Sequence, residues 1–159
     1  MKILIVYGTK HGSAEKCAKI LSERINGDVD LVNLKKKQNI NLDTYDNIII
    51  GGSIYMGKIR KEVSKFCIDN KEDLLNKRIG LYISCMQEGE EAEKELKDNY
   101  PDELYDQALA TDVFGGEFNF EKMNFLERMI IKKISGDSES TSNILKDNIE
   151  KFACMINNV

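Results

Sequence analysis

Three short segments of this sequence combine glycines with hydroxyl, aromatic and charged residues, as loops that bind small ligands do. The first is residues 8–14 (GTKHGSA), which follow an apolar run and precede a stretch with helical periodicity. Backbone N–H groups at the start of a helix attract anions, while Thr9 and Ser13 add hydroxyl donors and Lys10 adds positive charge. The glycine spacing differs from that of ATP loops and dinucleotide fingerprints. The segment therefore predicts either a phosphate site of another kind or an ordinary helix cap.

The second segment is residues 51–58 (GGSIYMGK), in which an aromatic ring and a thioether follow a buried strand. Tyr55 and Met56 lie too close to the end of that strand to be buried together, so a flat ligand beside them would account for both. Gly57 allows its peptide to change orientation freely. Ser53 and Ile54 lead from the strand into this loop. The alternative interpretation is a hydrophobic loop plug that ends in a turn glycine.

The third segment is residues 84–89 (SCMQEG), which end another buried strand. Its backbone and the side chains of Ser84 and Gln87 could meet the polar edge of a ring. Cys85 has no histidine near it in the sequence, so we expect an inert, buried thiol in preference to a nucleophile. Met86 and Glu88 complete the segment. Its position after a strand predicts that it contributes to the same site as the first two.

Strands alternate with helices along the chain, which indicates a parallel sheet with helices on both faces. The pattern predicts strands over residues 2–7, 29–34, 46–52, 78–85 and 108–116. It predicts helices over residues 13–25, 61–70, 89–99, 101–104, 121–134 and 138–157. Five strands suit the doubly wound order 2-1-3-4-5 in a three-layer α/β/α domain. In that fold the three segments meet at the carboxyl edge of the sheet, where ligands bind.

Length and composition narrow the class of protein. The 159 residues suit a single domain spanning residues 1–159. A net charge of −4 and a pI of about 5.2 disfavour nucleic-acid binding. No apolar run is long enough to cross a membrane or to serve as a signal peptide, so we expect a cytoplasmic protein. The four cysteines include no Cys-x-x-Cys pair, so no metal site is predicted.

The first two segments resemble the loops of two related families. The first resembles the flavodoxin phosphate loop, Thr/Ser-x-Thr-Gly-x-Thr, with His11 at a threonine position and Ala14 at the last threonine. Residues 52–57 resemble the flavodoxin loop that packs on the flavin. Over nearly the whole chain the sequence is similar to the flavodoxin-type, menaquinone-dependent protoporphyrinogen IX dehydrogenases. They have Ser-Thr-Arg-Asp-Gly in the first loop and Gly-x-Ser-Ile-x-x-Gly in the second, where this chain has GTKHG and GGSIYMG.

This resemblance implies that the chain binds FMN. Its phosphate would lie on residues 9–14, held by Thr9, His11, Gly12 and Ser13, while Lys10 and Ala14 belong to the same loop. The flavin ring would lie between residues 53–57 and 84–89. Either Tyr55 or Met56 would flank the ring, and the peptide between Met56 and Gly57 would flip to serve the reduced flavin.

The resemblance leaves two functions open. One is an oxidoreductase of porphyrin biosynthesis that oxidises protoporphyrinogen IX, or a similar reduced substrate, and passes the electrons to a quinone. The other is an electron-carrying flavodoxin that works with protein partners. Lys58, Arg60 and Lys61 follow the flavin loop and predict a cationic rim. Residues 121–134 predict a basic helix, which would either pack on the core with a solvated basic face or make peripheral contact with a partner or with the inner face of the cell membrane.

Overall fold

The computed structural model of the protein describes residues 1–118 and 141–159. The predicted helix over residues 121–134, with its basic side chains, lies outside these ranges. Within them, no helix is long and apolar enough to span a bilayer. The strands are β1 Lys2–Gly8, β2 Asp28–Asn33, β3 Asn47–Tyr55, β4 Lys58–Ile59, β5 Arg78–Ser84, β6 Ala110–Val113, β7 Gly115–Phe118 and β8 Thr141–Ile144. The helices are α1 Ser13–Ser22, α2 Lys61–Asp69, α3 Lys71–Leu75, α4 Gly89–Asp98, α5 Asp102–Gln107 and α6 Lys146–Asn157.

The main sheet has the order β2-β1-β3-β5-β6, and its neighbouring strands are parallel. This confirms the predicted doubly wound order, because β1, β2, β3, β5 and β6 are the five strands that the sequence predicts. The short strand β4 pairs antiparallel with the end of β3, and β7 pairs antiparallel with β8 in a separate ribbon. The carboxyl ends of β1, β3 and β5 therefore lie side by side, each followed by one of the three segments.

Two hydrophobic cores lie on opposite faces of the sheet, which confirms the three-layer architecture. Strand β1 shows why, because Ile3 and Ile5 point into the core with α1 and α6, while Leu4 and Val6 point into the core with α2, α3, α4 and α5. All four side chains are fully buried. A strand covered on both faces needs this near-continuous apolar sequence, because successive side chains point to opposite faces.

The structure corrects several predicted boundaries. Strand β3 continues through the expected loop to Tyr55, because Gly51 and Gly52 are buried in the sheet. The predicted fifth strand is divided at Phe114, where the chain turns into β7 and Gly115 has φ +74°. The predicted helix over residues 138–157 begins only at Lys146, since the preceding residues pair with β7 as β8. Helix α1 ends at Ser22 and not at residue 25.

Candidate functional site

Hydrogen bonds between hydroxyl groups join the three segments at the carboxyl edge of the sheet. Thr9 Oγ1, after β1, lies 3.3 Å from Ser53 Oγ near the end of β3. Ser13 Oγ, in the first turn of α1, is hydrogen-bonded to Ser84 Oγ at the end of β5. The sequence places these residues up to 71 positions apart, and the parallel strand order brings them together. The result is a cluster of four hydroxyl groups beside the start of α1.

The start of α1 has backbone features that favour an anion. Gly12 is its N-cap residue, with φ +92°, and no side chain caps the helix there. The Gly12 N–H group donates to Thr9 Oγ1 at 2.9 Å, and the Gly12 carbonyl accepts from the Lys16 N–H group at 2.9 Å. The N–H groups of the first helical turn therefore keep the free hydrogen-bonding capacity that attracts anions. Ala14 contributes no hydroxyl group, and its residue is fully buried.

The second segment forms a tight hairpin between β3 and β4. Met56 and Gly57 occupy its tip with φ angles of +51° and +79°, so two successive residues adopt the left-handed conformation typical of two-residue hairpins. Met56 is 68% exposed, and Tyr55 is half-buried. The Lys10 ammonium group lies 3.8 Å from the centre of the Tyr55 ring. An aromatic ligand stacked on that same face would have to displace Lys10.

Asn99, which follows α4, holds the hairpin in place. Its side-chain nitrogen donates to the Gly57 carbonyl at 3.2 Å, and its side-chain oxygen accepts from the Ile59 N–H group at 3.0 Å. Asn99 also caps the end of α4, because the same side-chain nitrogen donates to the Glu95 carbonyl at 2.8 Å. This role of Asn99 was not predicted from the sequence. An asparagine at the end of a predicted helix was the available signal, but it indicates a helix end and not a contact with a distant hairpin.

The third segment divides into a buried and an exposed part. Ser84 and Cys85 are buried, whereas Met86, Gln87 and Glu88 are exposed. Burial, together with the nearby Glu95 carboxylate, raises the pKa of the Cys85 thiol to about 12. The thiol is therefore protonated at neutral pH, which argues against a nucleophilic role. In the described ranges, no three His, Cys, Asp or Glu side chains are grouped so that they could hold a metal ion.

The first two glycines of the second segment serve the packing of the sheet and not a ligand-binding loop. Gly51 and Gly52 are buried strand residues, so they line no loop. A Cβ atom at position 51 would lie 1.9 Å from the Tyr82 ring, and one at position 52 would lie 2.5 Å from Ile59. Both glycines make room for neighbouring side chains. Tyr82 was not among the predicted site residues, because a tyrosine in an apolar strand looks like any other core residue.

The predicted cationic rim is narrower than the sequence indicated. Arg60 Nε lies 3.3 Å from the buried Glu62 carboxylate, which neutralises its charge. Lys58 and Lys61 are exposed, and they form no ion pair with any residue in the two described ranges. The rim in this part of the structure therefore consists of these two lysines. The pairing of Arg60 with a residue two positions away has no signature in the sequence, because both side chains could equally face solvent.

Known proteins resemble this chain in sequence and in fold. An uncharacterised protein of Methanocaldococcus jannaschii is 37% identical over 67 residues, which cover 42% of this chain and 43% of that protein. Oxidised flavodoxin 1 of Bacillus cereus has a TM-score of 0.58 at 10% identity, over 98% of this chain and 97% of that chain. Two-electron-reduced Megasphaera elsdenii flavodoxin has a TM-score of 0.58 at 18% identity, over 96% and 98%.

A larger protein contains the same fold. The rubredoxin oxygen:oxidoreductase of Desulfovibrio gigas has a TM-score of 0.57 at 16% identity, over 99% of this chain. This chain spans only 35% of that protein, and its match covers only 43% of the Methanocaldococcus jannaschii protein. Because these sequence identities are low, the structural likeness establishes the fold alone.

The sequence of this chain matches the sequence model of a known protein family over most of its length. The match is to the flavodoxin domain, over residues 4–144, and therefore includes all three segments and the main sheet from residue 4 onwards. It confirms the flavodoxin-like assignment and, with it, FMN as the cofactor. The chain belongs to the flavodoxin domain family.

Proposed function

We propose that the start of α1 holds the FMN phosphate, and that the hairpin and the third segment hold the flavin ring. The observation that carries this proposal is the cluster of hydroxyl groups from three strand ends beside an uncapped helix N-terminus. Hydroxyl and backbone N–H donors in that arrangement suit a phosphate group. Thr9, Gly12 and Ser13 would bind it, with His11 beside them. A glycine with φ +92° lets the backbone turn its N–H groups towards one point.

The flavin ring would meet chemically suitable groups at the same edge of the sheet. Tyr55 and Met56 offer an aromatic face and an exposed thioether, and the backbone of residues 84–88 offers polar groups for the ring edge. Bound FMN supplies the electron-transfer chemistry, which the amino-acid side chains cannot supply themselves. The protein orients the cofactor and adjusts its electrostatic surroundings. The described residues of the site therefore suit the FMN cofactor.

The first expected result is stoichiometric FMN binding. The purified chain, incubated with excess FMN and passed through gel filtration, should elute with flavin absorbance and one FMN per chain. FAD should bind less tightly, because the first loop suits a terminal phosphate and not a pyrophosphate that continues into adenosine. A colourless protein peak after gel filtration would contradict the proposal.

We propose further that the FMN protein oxidises protoporphyrinogen IX, or a similar reduced substrate, and passes the electrons to a quinone. The support is the loop resemblance described above, together with exposed Lys58 and Lys61, which could pair with the carboxylates of such a substrate. A quinone acceptor resides in the membrane, and the basic residues 121–134 are the sequence segment suited to peripheral contact with it. The other candidate is an electron carrier that docks with protein partners.

An assay with reduced porphyrinogen separates the two functions. An FMN-loaded oxidase should convert protoporphyrinogen IX when menaquinone is present, at a rate proportional to protein concentration. The control is the same chain without FMN, which corrects for spontaneous oxidation of the substrate. If the loaded protein accelerates nothing in this assay but exchanges electrons rapidly with a redox protein, it is a carrier.

The exposed lysines should raise the reduction potential of the bound cofactor. Cations favour its more negative, reduced state, so replacing Lys58 and Lys61 with glutamate should lower the potential by tens of millivolts at low salt. The shift should shrink in 1 M salt, where the Debye length is about 3 Å. Potentiometric titration followed by flavin absorbance would measure it. The Michaelis constant for a carboxylate-bearing substrate should also rise.

The control for this experiment lies at the opposite edge of the sheet. Arg78 is exposed at the start of β5, whereas the hairpin lies at the carboxyl edge. Arg78→Glu makes the same charge reversal as Lys58→Glu, but at a greater distance from the site. Equal shifts of the potential in both single variants would show that net charge, and not the local rim, sets the effect.

A further inference from the structure

Tyr82 extends from β5 to the start of α1 through the core. Its ring is fully buried, lies against Gly51 of β3, and stacks on Phe114 with ring centroids 4.5 Å apart. The phenol oxygen donates a hydrogen bond to the Ala14 carbonyl at 2.9 Å. Ala14 lies in the first turn of α1. A side chain of the sheet is therefore attached directly to the backbone of the predicted phosphate loop.

A second side chain of β5 reaches the same helical turn. Ser84 lies two residues beyond Tyr82, so both side chains point to the same face of the sheet. Ser84 is hydrogen-bonded to Ser13, and Tyr82 is hydrogen-bonded to the carbonyl of the next residue, Ala14. Two attachments at consecutive positions determine both the distance and the tilt of the helix start relative to β5.

The Tyr82 phenol is a permanent donor. Burial, followed by the nearby Cys17 and Tyr7 side chains, raises the pKa of Tyr82 well above its ordinary value. The hydroxyl group is thus protonated at neutral pH. The ring is also tightly packed, because it is fully buried, lies against Gly51 and stacks on Phe114. The hydrogen bond to Ala14 is therefore a fixed part of the structure.

We propose that Tyr82 is a positioning residue for phosphate binding: its hydroxyl group holds the first turn of α1 so that the turn's N–H groups converge on the phosphate. This inference rests on the proposed FMN site. Tyr82 would not touch the ligand, because its hydroxyl group is buried on the carbonyl of Ala14. It would act through the orientation of the helix. Its removal should therefore weaken the binding of a phosphate group and leave the binding of the flavin ring intact.

The chain contains a matched control for this role. Tyr100 is also buried, and its single O–H group is shared between the Ile50 carbonyl at 3.0 Å and the Tyr82 carbonyl at 2.6 Å. Those carbonyls belong to β3 and β5, so Tyr100 connects strands and makes no hydrogen bond to α1. Tyr100→Phe and Tyr82→Phe each remove one buried hydroxyl group and retain the ring. Only the second variant removes an attachment of the phosphate loop.

The test compares FMN with riboflavin, which has the same ring but no phosphate. Dissociation constants for both ligands would be measured by flavin fluorescence for the wild type and the two variants, and thermal unfolding would be recorded without ligand. For Tyr82→Phe, we expect FMN to bind roughly fivefold more weakly, as for the loss of one hydrogen bond, while riboflavin binding stays within about twofold. The phosphorus NMR shift of bound FMN should also change. Tyr100→Phe should lower stability without changing the ratio of the two constants.

Three outcomes would overturn the inference. The ratio of the FMN and riboflavin constants could keep its wild-type value in Tyr82→Phe. Tyr100→Phe could change that ratio equally, which would make the effect one of general stability. Tyr82→Phe could fail to fold, which would make the hydroxyl group a requirement of the fold itself. A wild-type chain that binds neither flavin would instead contradict the proposed site, so the two failures can be distinguished.

Discussion

Replacing Gly12 with valine is expected to abolish FMN binding in a chain that still folds. Gly12 has φ +92°, a conformation that side chains branched at Cβ strongly disfavour. Valine would move the backbone out of this conformation and break the hydrogen bond from the Gly12 N–H group to Thr9. The N–H groups at the start of α1 would then diverge. We expect FMN affinity to fall at least about a hundredfold and stability by about 1–3 kcal/mol.

The control for Gly12→Val is a glycine with positive φ away from the site. Gly27 has φ +124° and lies before β2, at the amino edge of the sheet. Gly27→Val should also reduce stability, because its Cβ atom would lie 2.7 Å from the Met1 carbonyl oxygen. It should nevertheless bind FMN with wild-type affinity. Circular dichroism and fluorescence titration would measure both properties, and tight FMN binding by Gly12→Val would exclude the proposed phosphate site.

Gly51→Ala should be among the most destabilising single substitutions in the chain. The added Cβ atom would lie 1.9 Å, 2.2 Å and 2.4 Å from three carbons of the Tyr82 ring. That ring cannot yield, because it is fully buried and stacked on Phe114. Overpacking of a closed core costs about 1–3 kcal/mol and occasionally more, and we expect at least the upper end of that range. Denaturation by urea would give the free energy of unfolding.

A double-mutant cycle with Tyr82 would identify the cause. Tyr82→Ala removes the ring that collides with residue 51, so Gly51→Ala should cost much less in that background. We expect a coupling energy above about 1 kcal/mol. Gly80→Ala is the milder comparison, because its Cβ atom would lie no closer than 2.7 Å to the Phe152 ring and 3.3 Å to Ile156. Additive effects in the cycle would show that Gly51 serves something other than the Tyr82 ring.

The main elements of the fold were predictable because their signals are local. The apolar residues of β1 and the helical spacing of α1 depend only on neighbouring positions, and a parallel order follows from the alternation of strands and helices. Predicted element boundaries in the last part of the chain were wrong where contacts between residues distant in sequence determine the secondary structure. Residues 141–144 form a strand because they pair with β7, although their sequence also suits the start of a helix. Arg60 similarly does not contribute to the predicted cationic rim, because it pairs with the Glu62 carboxylate.

The location of the candidate site was also determined by the sequence, because parallel strands bring their carboxyl ends together whichever residues follow them. Residues 9–14, 53–57 and 84–88 therefore had to lie along one edge. Only the tertiary structure decided how that edge is held. Tyr82, Asn99 and Gly51 act on residues 68, 42 and 31 positions away, respectively. Such contacts leave no periodic pattern in the sequence, since they arise only when separate elements pack. The sequence by itself thus determined the order of the strands and the position of the site, and packing across the sheet decided which side chains hold the site in its geometry.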